Sequence, residues 1–452
     1  MDIADRRWGR RLVEMARRTA SRPAGRITEV FNNAAQRQGA YGLLENDSVS
    51  EGKIAGAMFA ACAARAASES FVFCAVDGTS LTLTDDGRSK DFGPIGPRSK
   101  GARGLKVINA LVLSPQGVTV GLSAQEWWVH PSRRRRKHRD KLAPEDKEIG
   151  RWLRAMDQTR AVMARHAPKT RCWFQLDREG DAWPVLLQAG PEGHWFTVRA
   201  SWNRIVESAG HERRYLRDVL AEQPFQTTYS LPVKAAKSRS ARLASMHVRA
   251  CSVTLILRDK RTRQRRPLTV NVVHAVEQGT TPPGEKSIEW LLLTNRTVDT
   301  IADLHQIVLG YSMRWRVEEF HRTWKSGACR VEETQLRSSA AVIKWATILA
   351  AVAVRVERLK LLSRQEPDRP ATDEFRPVEL QAIVLLRFGR AGKGRPAPGV
   401  VPTLAQATRW VADIGGYAGS RSSPPPGSVT IARGLKDVAA AVRTLKALAP
   451  TP

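Results

Sequence analysis

The chain has 452 residues, 42% of them apolar and 26% charged, a globular balance in a length that suggests about two to four domains. Lysine and arginine number 73 against 44 aspartates and glutamates, giving a formal charge of +29. A surface that basic repels itself unless a polyanion neutralises it. Nucleic acid is therefore the expected partner, and an anionic membrane is disfavoured because no run approaches about 18 uninterrupted apolar residues.

Residues 1–66 read as helical. "RRLVEMARRTA" is basic and amphipathic, and "SEGKIAGAMFAACAARAA" is a strong helix-former run that opens at a serine cap. The start has no continuous apolar run of the kind a secretory leader needs. The five cysteines, Cys62, Cys74, Cys172, Cys251 and Cys329, lack CxxC or paired spacing, which excludes a zinc ribbon and argues against a disulfide framework. Reduced thiols and cytoplasmic residence are the expectation.

The texture then changes. "SFVFCAVD", "TSLTLT", "GLKVINALVLS" and "GVTVGLSAQEWW", separated by Gly, Asp and Pro turns, predict an antiparallel meander. A long helix over "DKEIGRWLRAMDQTRAVMARHA", the apolar strand "TRCWFQLD" and a helix over "AWPVLLQAG" complete a mixed α/β sheet. Residues from about 194 to 294 are strand-rich, with the basic loops "KAAKSRSAR" and "RDKRTRQRRP" between strands. A helix is expected over about 300–327, and "AAVIKWATILAAVAVRVERLKLL" is a second, strongly apolar one. Beyond a Pro-containing linker the chain holds helices to its end.

The stretch "YSMRWRVEEFHRTWK", residues 311–325, keeps a glutamate in a strongly positive helix-length segment. At about 100° per residue, Tyr311, Arg314, Glu318, Arg322 and Lys325 form one stripe with His321 at its edge. Met313, Val317, Phe320 and Trp324 form the opposite, apolar side. A solvated face with an Arg314–Glu318 ion pair fits this geometry as well as a ligand does, and a carboxylate between cations stays ionised in either role. Two further acids weight the choice. Asp77 closes "FVFCAVD" and Asp177 closes "CWFQLD", each a hydrophobic strand ending abruptly in aspartate. Alone, each is as well explained as a turn former or helix cap. Together with Glu318 they make an oxygen-donor set suited to hard divalent cations, where two ions about 3.5–4 Å apart share bridging carboxylates.

These residues resemble a known family. Asp77, Asp177 and Glu318 look like the DDE triad of cut-and-paste transposases with a ribonuclease-H-like core. Tyr311, Arg314, Glu318 and Lys325 match the Y-x2-R-x3-E-x6-K (YREK) signature of the IS-four group of bacterial insertion sequences, with "DREGD" and "QEWW" also in place. The resemblance implies a ribonuclease-H-like mixed sheet over residues 67–344 with a β-strand insertion at about 194–294. It implies an all-α N-terminal domain (1–66) gripping transposon ends and an α-helical C-terminal domain (345–452) joining a homodimer. It further implies Mg²⁺, with Mn²⁺ able to substitute, at Asp77, Asp177 and Glu318, and double-stranded DNA, both inverted-repeat ends and target, as partner. Trp290 would stack a flipped base; Tyr311, Arg314 and Lys325 would hold nearby phosphates, with Arg322 and Arg199 as further contacts. Location would be the bacterial cytoplasm, at the nucleoid. The helical N-terminal region begins later than is usual in the group, which favours a dimerising, DNA-binding inhibitor, while the intact triad favours retained chemistry. A structure-specific nuclease of the same core is the other alternative.

"SRRRRKHRDK", residues 132–141, and the two basic loops are expected to meet DNA backbone without reading sequence. Nine histidines form no HxxxH or HExxH pair, and no GxGxxG or Walker loop occurs, so neither a zinc hydrolase nor ATP is expected.

Overall fold

We describe residues 6–448 of a computed structural model, except 98–99, 132–141, 191–192, 209–212, 237–238, 260, 390–391, 393, 398 and 421–422. The run 132–141 therefore lies outside the described residues. In chain order the elements begin with α1 (Arg6–Ser21), α2 (Ile27–Val30), α3 (Ala34–Leu44), α4 (Glu51–Ala66), β1 (Phe71–Leu83), β2 (Gly93–Pro94), β3 (Arg103–Leu113) and β4 (Thr119–Trp128). Next come α5 (Glu148–His166), β5 (Arg171–Leu176), α6 (Trp183–Gln188), β6 (Trp195–Arg199), β7 (Ile205–Val206), β8 (Arg214–Tyr215), α7 (Leu216–Ala221), β9 (Thr227–Val233), β10 (Arg242–Arg258), β11 (Arg265–Gln278) and β12 (Glu289–Thr294). The chain ends in α8 (Ile301–Met313), α9 (Trp315–Lys325), α10 (Ser339–Gln365), α11 (Pro377–Phe388), α12 (Leu404–Ile414) and α13 (Ser428–Leu448). The α/β class follows the expectation and is compatible with a ribonuclease-H-like core.

Two compact units share these elements: Met1–Ala66, Gly78–Arg134 and Arg316–Pro452 form one, Ala67–Asp77 and Arg135–Trp315 the other. The expected spans 1–66 and 345–452 both fall in the first unit, and the span 67–344 is shared between the two.

In the first unit α4 opens as expected, Ser50 Oγ accepting from Lys53 N at 3.4 Å. β3 and β4 form an antiparallel hairpin from Lys106↔Trp128 to Leu113↔Thr119, turned through Gly117 at φ +81°. α10 is mostly apolar because it runs through the core: it packs on α1, α3, α4, β4, α12 and α13. It is the one helix among the described residues long and apolar enough to cross a membrane, yet 72% of that apolar window is buried inside the protein. Its Trp345 donates to Gly25 O at 2.8 Å, and Lys344 Nζ reaches Leu44 O at 3.0 Å and Asn46 O at 2.8 Å.

In the second unit β1 pairs in parallel with β5 from Phe71↔Arg171 to Val76↔Leu176, and β5 with β6 from Trp173↔Trp195 to Leu176↔Val198. β6 continues antiparallel to β12, then β11 and β10, with β7 and β9 on β10 and β8 on β7. The strand-rich block is thus hydrogen-bonded directly to β5 through β6. On one face Phe71, Phe73, Trp173 and Trp195 form a ring cluster. α8 lies over it at Gly310, where a Cβ would come within 2.5 Å of the Phe73 ring, so only glycine allows this approach.

Two expectations are corrected. Asp77 does not end its strand: β1 runs on to Leu83, because Leu81 and Leu83 bury their side chains and keep the backbone extended past Gly78. What ends at Val76 is the parallel pairing with β5. The single helix expected over 311–325 is two. Arg314 N bonds back to Tyr311 O at 3.1 Å, a tightened last turn of α8, and α9 starts anew at Trp315.

Candidate active site

Parallel strands present their carboxyl ends together, and here the register fixes what stands there. Immediately after the paired residues Val76, Leu176 and Val198 of three adjacent strands come Asp77, Asp177 and Arg199. Asp177 leads into a 3₁₀ turn, Arg178–Gly180, and its side chain accepts from Glu179 N at 2.8 Å. Asp77 Oδ2 meets Arg314 Nη1 at 3.3 Å, with both side chains largely buried at 13% and 11% exposure. Arg199 donates to Glu289 O at 2.8 Å. Burial pushes the Tyr311 phenol up, and the charges and hydrogen bonds of Arg314 and Arg199 oppose that rise, so both arginines attend this hydroxyl. The Tyr311 ring meets Trp290 edge to face, centroids 5.5 Å apart. Six expected residues, Asp77, Asp177, Arg199, Trp290, Tyr311 and Arg314, thus gather at one end of this sheet.

The other three sit on α9 in the first unit. Val317, Phe320 and Trp324 are fully buried as the stripe predicts, whereas Met313, on α8, is only half-buried. Glu318 is half-buried in the first turn, and Arg322 is exposed. Lys325 Nζ lies 3.3 Å from Thr79 Oγ1 and 3.5 Å from Glu332 Oε1, which also accepts from Thr82 N at 2.8 Å. Neighbouring Glu319 has a separate task. Its carboxylate pairs with Arg316 at 2.9 Å and Lys360 at 3.1 Å; burial would raise its pKa, but these cations hold it below the ordinary value. His321, placed by the wheel at the stripe's edge, is buried against Asn109 at 3.0 Å, and Gln125 donates to the same asparagine at 2.9 Å.

Sequence reasoning missed Asp181, the second aspartate of "DREGD". Its side chain is fully buried, meets Arg204 at 2.6 and 2.8 Å and accepts from Ser201 N at 2.6 Å and Trp202 N at 3.3 Å. It clamps the loop after β6, on which Trp202 is 66% exposed. The signal available was the repeated Asp two residues after a glutamate; which of the two acids is structural needed the fold.

Carboxylate oxygens are the donors hard divalent cations prefer, and Asp77 and Asp177 in the second unit and Glu318 in the first each offer them. The Arg314 guanidinium at Asp77 supplies positive charge where a cation would, and the fully buried amide of Gln175, two residues before Asp177, has no hydrogen-bond partner among the described residues. Among the described residues no three His, Cys, Asp or Glu side chains are grouped closely enough to hold a metal ion.

Comparison with known families finds two matches. Residues 1–49 match a family described as transposase DNA-binding, and residues 132–355 match the transposase DDE domain. The second match contains Asp177, Arg199, Trp290, Tyr311, Arg314, Glu318, Arg322 and Lys325 and begins after Asp77.

Proposed function

For a chain that carries a transposase DNA-binding region and a transposase DDE domain, we propose cut-and-paste DNA transposition. The observation that carries this reading is the placement of Asp77 and Asp177 at adjacent register positions, one residue past the parallel pairing and within a cluster of arginines. Asp77, Asp177 and Glu318 are the carboxylates that hold Mg²⁺, with Mn²⁺ able to substitute. When bound, such ions lower the pKa of a water or 3′-hydroxyl and stabilise the departing oxygen.

The chain's own residues supply position and charge. Arg314, Arg199 and Tyr311 form a donor cluster for phosphate oxygens, and Lys325 and Arg322 on α9 are further phosphate contacts. Trp290, half-buried and set against Tyr311, stacks a base turned out of the duplex, which frees the strand ends to form a hairpin. The order of events is hydrolysis at the transposon 3′ end, attack of that hydroxyl on the opposite strand, reopening of the hairpin and transfer to target DNA. The N-terminal helices grip the end, and the helices from residue 345 onward join two subunits.

The test uses a duplex carrying inverted repeats found beside the gene, bounded by short direct repeats. Glu318→Ala should lose Mg²⁺-dependent nicking of that duplex yet retard it normally in a gel. Cleavage surviving in this variant would remove Glu318 from the chemistry. Cutting of branched DNA without regard to the repeats would favour a structure-specific nuclease.

A further inference from the structure

β5 carries Trp173 and Gln175 on one face, because side chains alternate along a strand, and Asp177 follows its last residue, Leu176. Gln175 is the one that does not explain itself. It has no exposed surface, and neither its amide nitrogen nor its oxygen has a hydrogen-bond partner among the described residues. Its register neighbours offer none: Ala75 on β1 ends in a methyl group. On β6, Thr197 Oγ1 is already engaged by Trp173 Nε1 at 2.9 Å and Thr294 Oγ1 at 3.4 Å. An amide buried in this way is destabilising, and a Met or Leu of similar volume would avoid that penalty.

Gln175 pairs with Ala75 and Thr197, one step back along the face that carries Asp77 on β1 and Arg199 on β6, and stands two residues before Asp177. A hard divalent cation held by two aspartates keeps part of its water coat, and those waters need acceptors. We propose that Gln175 is a positioning residue, its amide oxygen accepting from a cation-bound water and its amide nitrogen donating to the aspartate carboxylates that hold the ion. This inference rests on the metal-dependent reading of Asp77 and Asp177, and it gives that reading an additional member. The orphaned amide is the half of a hydrogen-bonding arrangement that protein atoms alone do not complete.

The experiment is a Mn²⁺ titration of the full chain, followed by the paramagnetic resonance signal of the free ion, with thermal unfolding measured without metal. Wild type should bind Mn²⁺ and Asp177→Asn should lose that binding. Gln175→Met should weaken binding by about tenfold while melting at the same temperature as wild type or higher, because an unmet polar group has been removed. Gln175→Glu, which keeps an oxygen at the same reach and adds charge, should bind at least as tightly as wild type. Unchanged Mn²⁺ affinity in Gln175→Met overturns the inference while leaving the aspartate site standing. A lowered melting point in Gln175→Met with unchanged affinity likewise overturns it, and assigns the amide a partner within the protein. Failure of wild type to bind, or binding undiminished in Asp177→Asn, overturns the metal reading itself and this inference with it.

Discussion

Two aspartates four residues apart, Asp177 and Asp181, flank one 3₁₀ turn and make different contacts. Asp181 is sealed from solvent and surrounded by donors: Arg204 on both oxygens and the backbone N–H groups of Ser201 and Trp202. Asp177 is half-exposed at the strand end, accepting from the Glu179 backbone and standing in register beside Asp77 and Arg199. A buried carboxylate paired with an arginine and held by two backbone N–H groups is a structural clamp. One left at the mouth of a parallel sheet, with coordination sites open to solvent, is suited to chemistry. Placement relative to donors separates the two, since the residue type is the same.

The strongest way to break that contrast is to neutralise each acid. Asp177→Asn should reduce Mg²⁺-dependent nicking by about a thousandfold or more, the several kcal/mol of transition-state stabilisation that metal-assisted chemistry supplies, with thermal stability nearly unchanged. Asp181→Ala should do the converse. Removing one partner of a buried pair strands Arg204 and costs about 3–5 kcal/mol, read as a lowered denaturant midpoint. If Asp181→Ala melts like wild type, the clamp is not what holds the loop. A smaller effect is expected at the aromatic edge: Trp290→Ala should impair hairpin formation more than the first nick, and equal loss of both would assign Trp290 to packing against Tyr311.

The smallest effect sharpens the electrostatic side. Glu289, whose backbone carbonyl accepts from Arg199, has its carboxyl drawn from 4.5 down to about 2, chiefly by Arg217 at 2.6 and 3.2 Å and then by His274. A folded-state pKa depressed in this way contributes stability that is present above the unfolded value and lost as pH falls through the folded one. The stability difference between wild type and Glu289→Gln should therefore be full above 4.5 and fade as pH falls towards 2. A difference independent of pH would show that Glu289 is held by shape and not by charge.

Much of this site could be read along the chain. Asp177 after an apolar strand, and the spaced Tyr311, Arg314, Glu318 and Lys325, stood out because local pattern and charge are properties of neighbouring residues. Two local readings failed for the same reason. "VDGTS" looks like a turn, yet β1 continues because Leu81 and Leu83 find a buried surface. Residues 311–325 look like one helix, containing neither Gly nor Pro, yet α8 closes at Arg314, whose side chain meets Asp77, 237 residues away.

By itself the sequence determined the α/β class, the basic surface, the strand that delivers Asp177 and the apolar face of α9, because periodicity and composition act locally. Only the tertiary structure decided that Asp77, Asp177 and Arg199 follow one another in register, that Asp181 is a clamp, and that Gln175 lies buried without a partner among the described residues. Those facts depend on strand register and on which distant groups share a low-dielectric interior, and neither is written in the order of neighbouring residues.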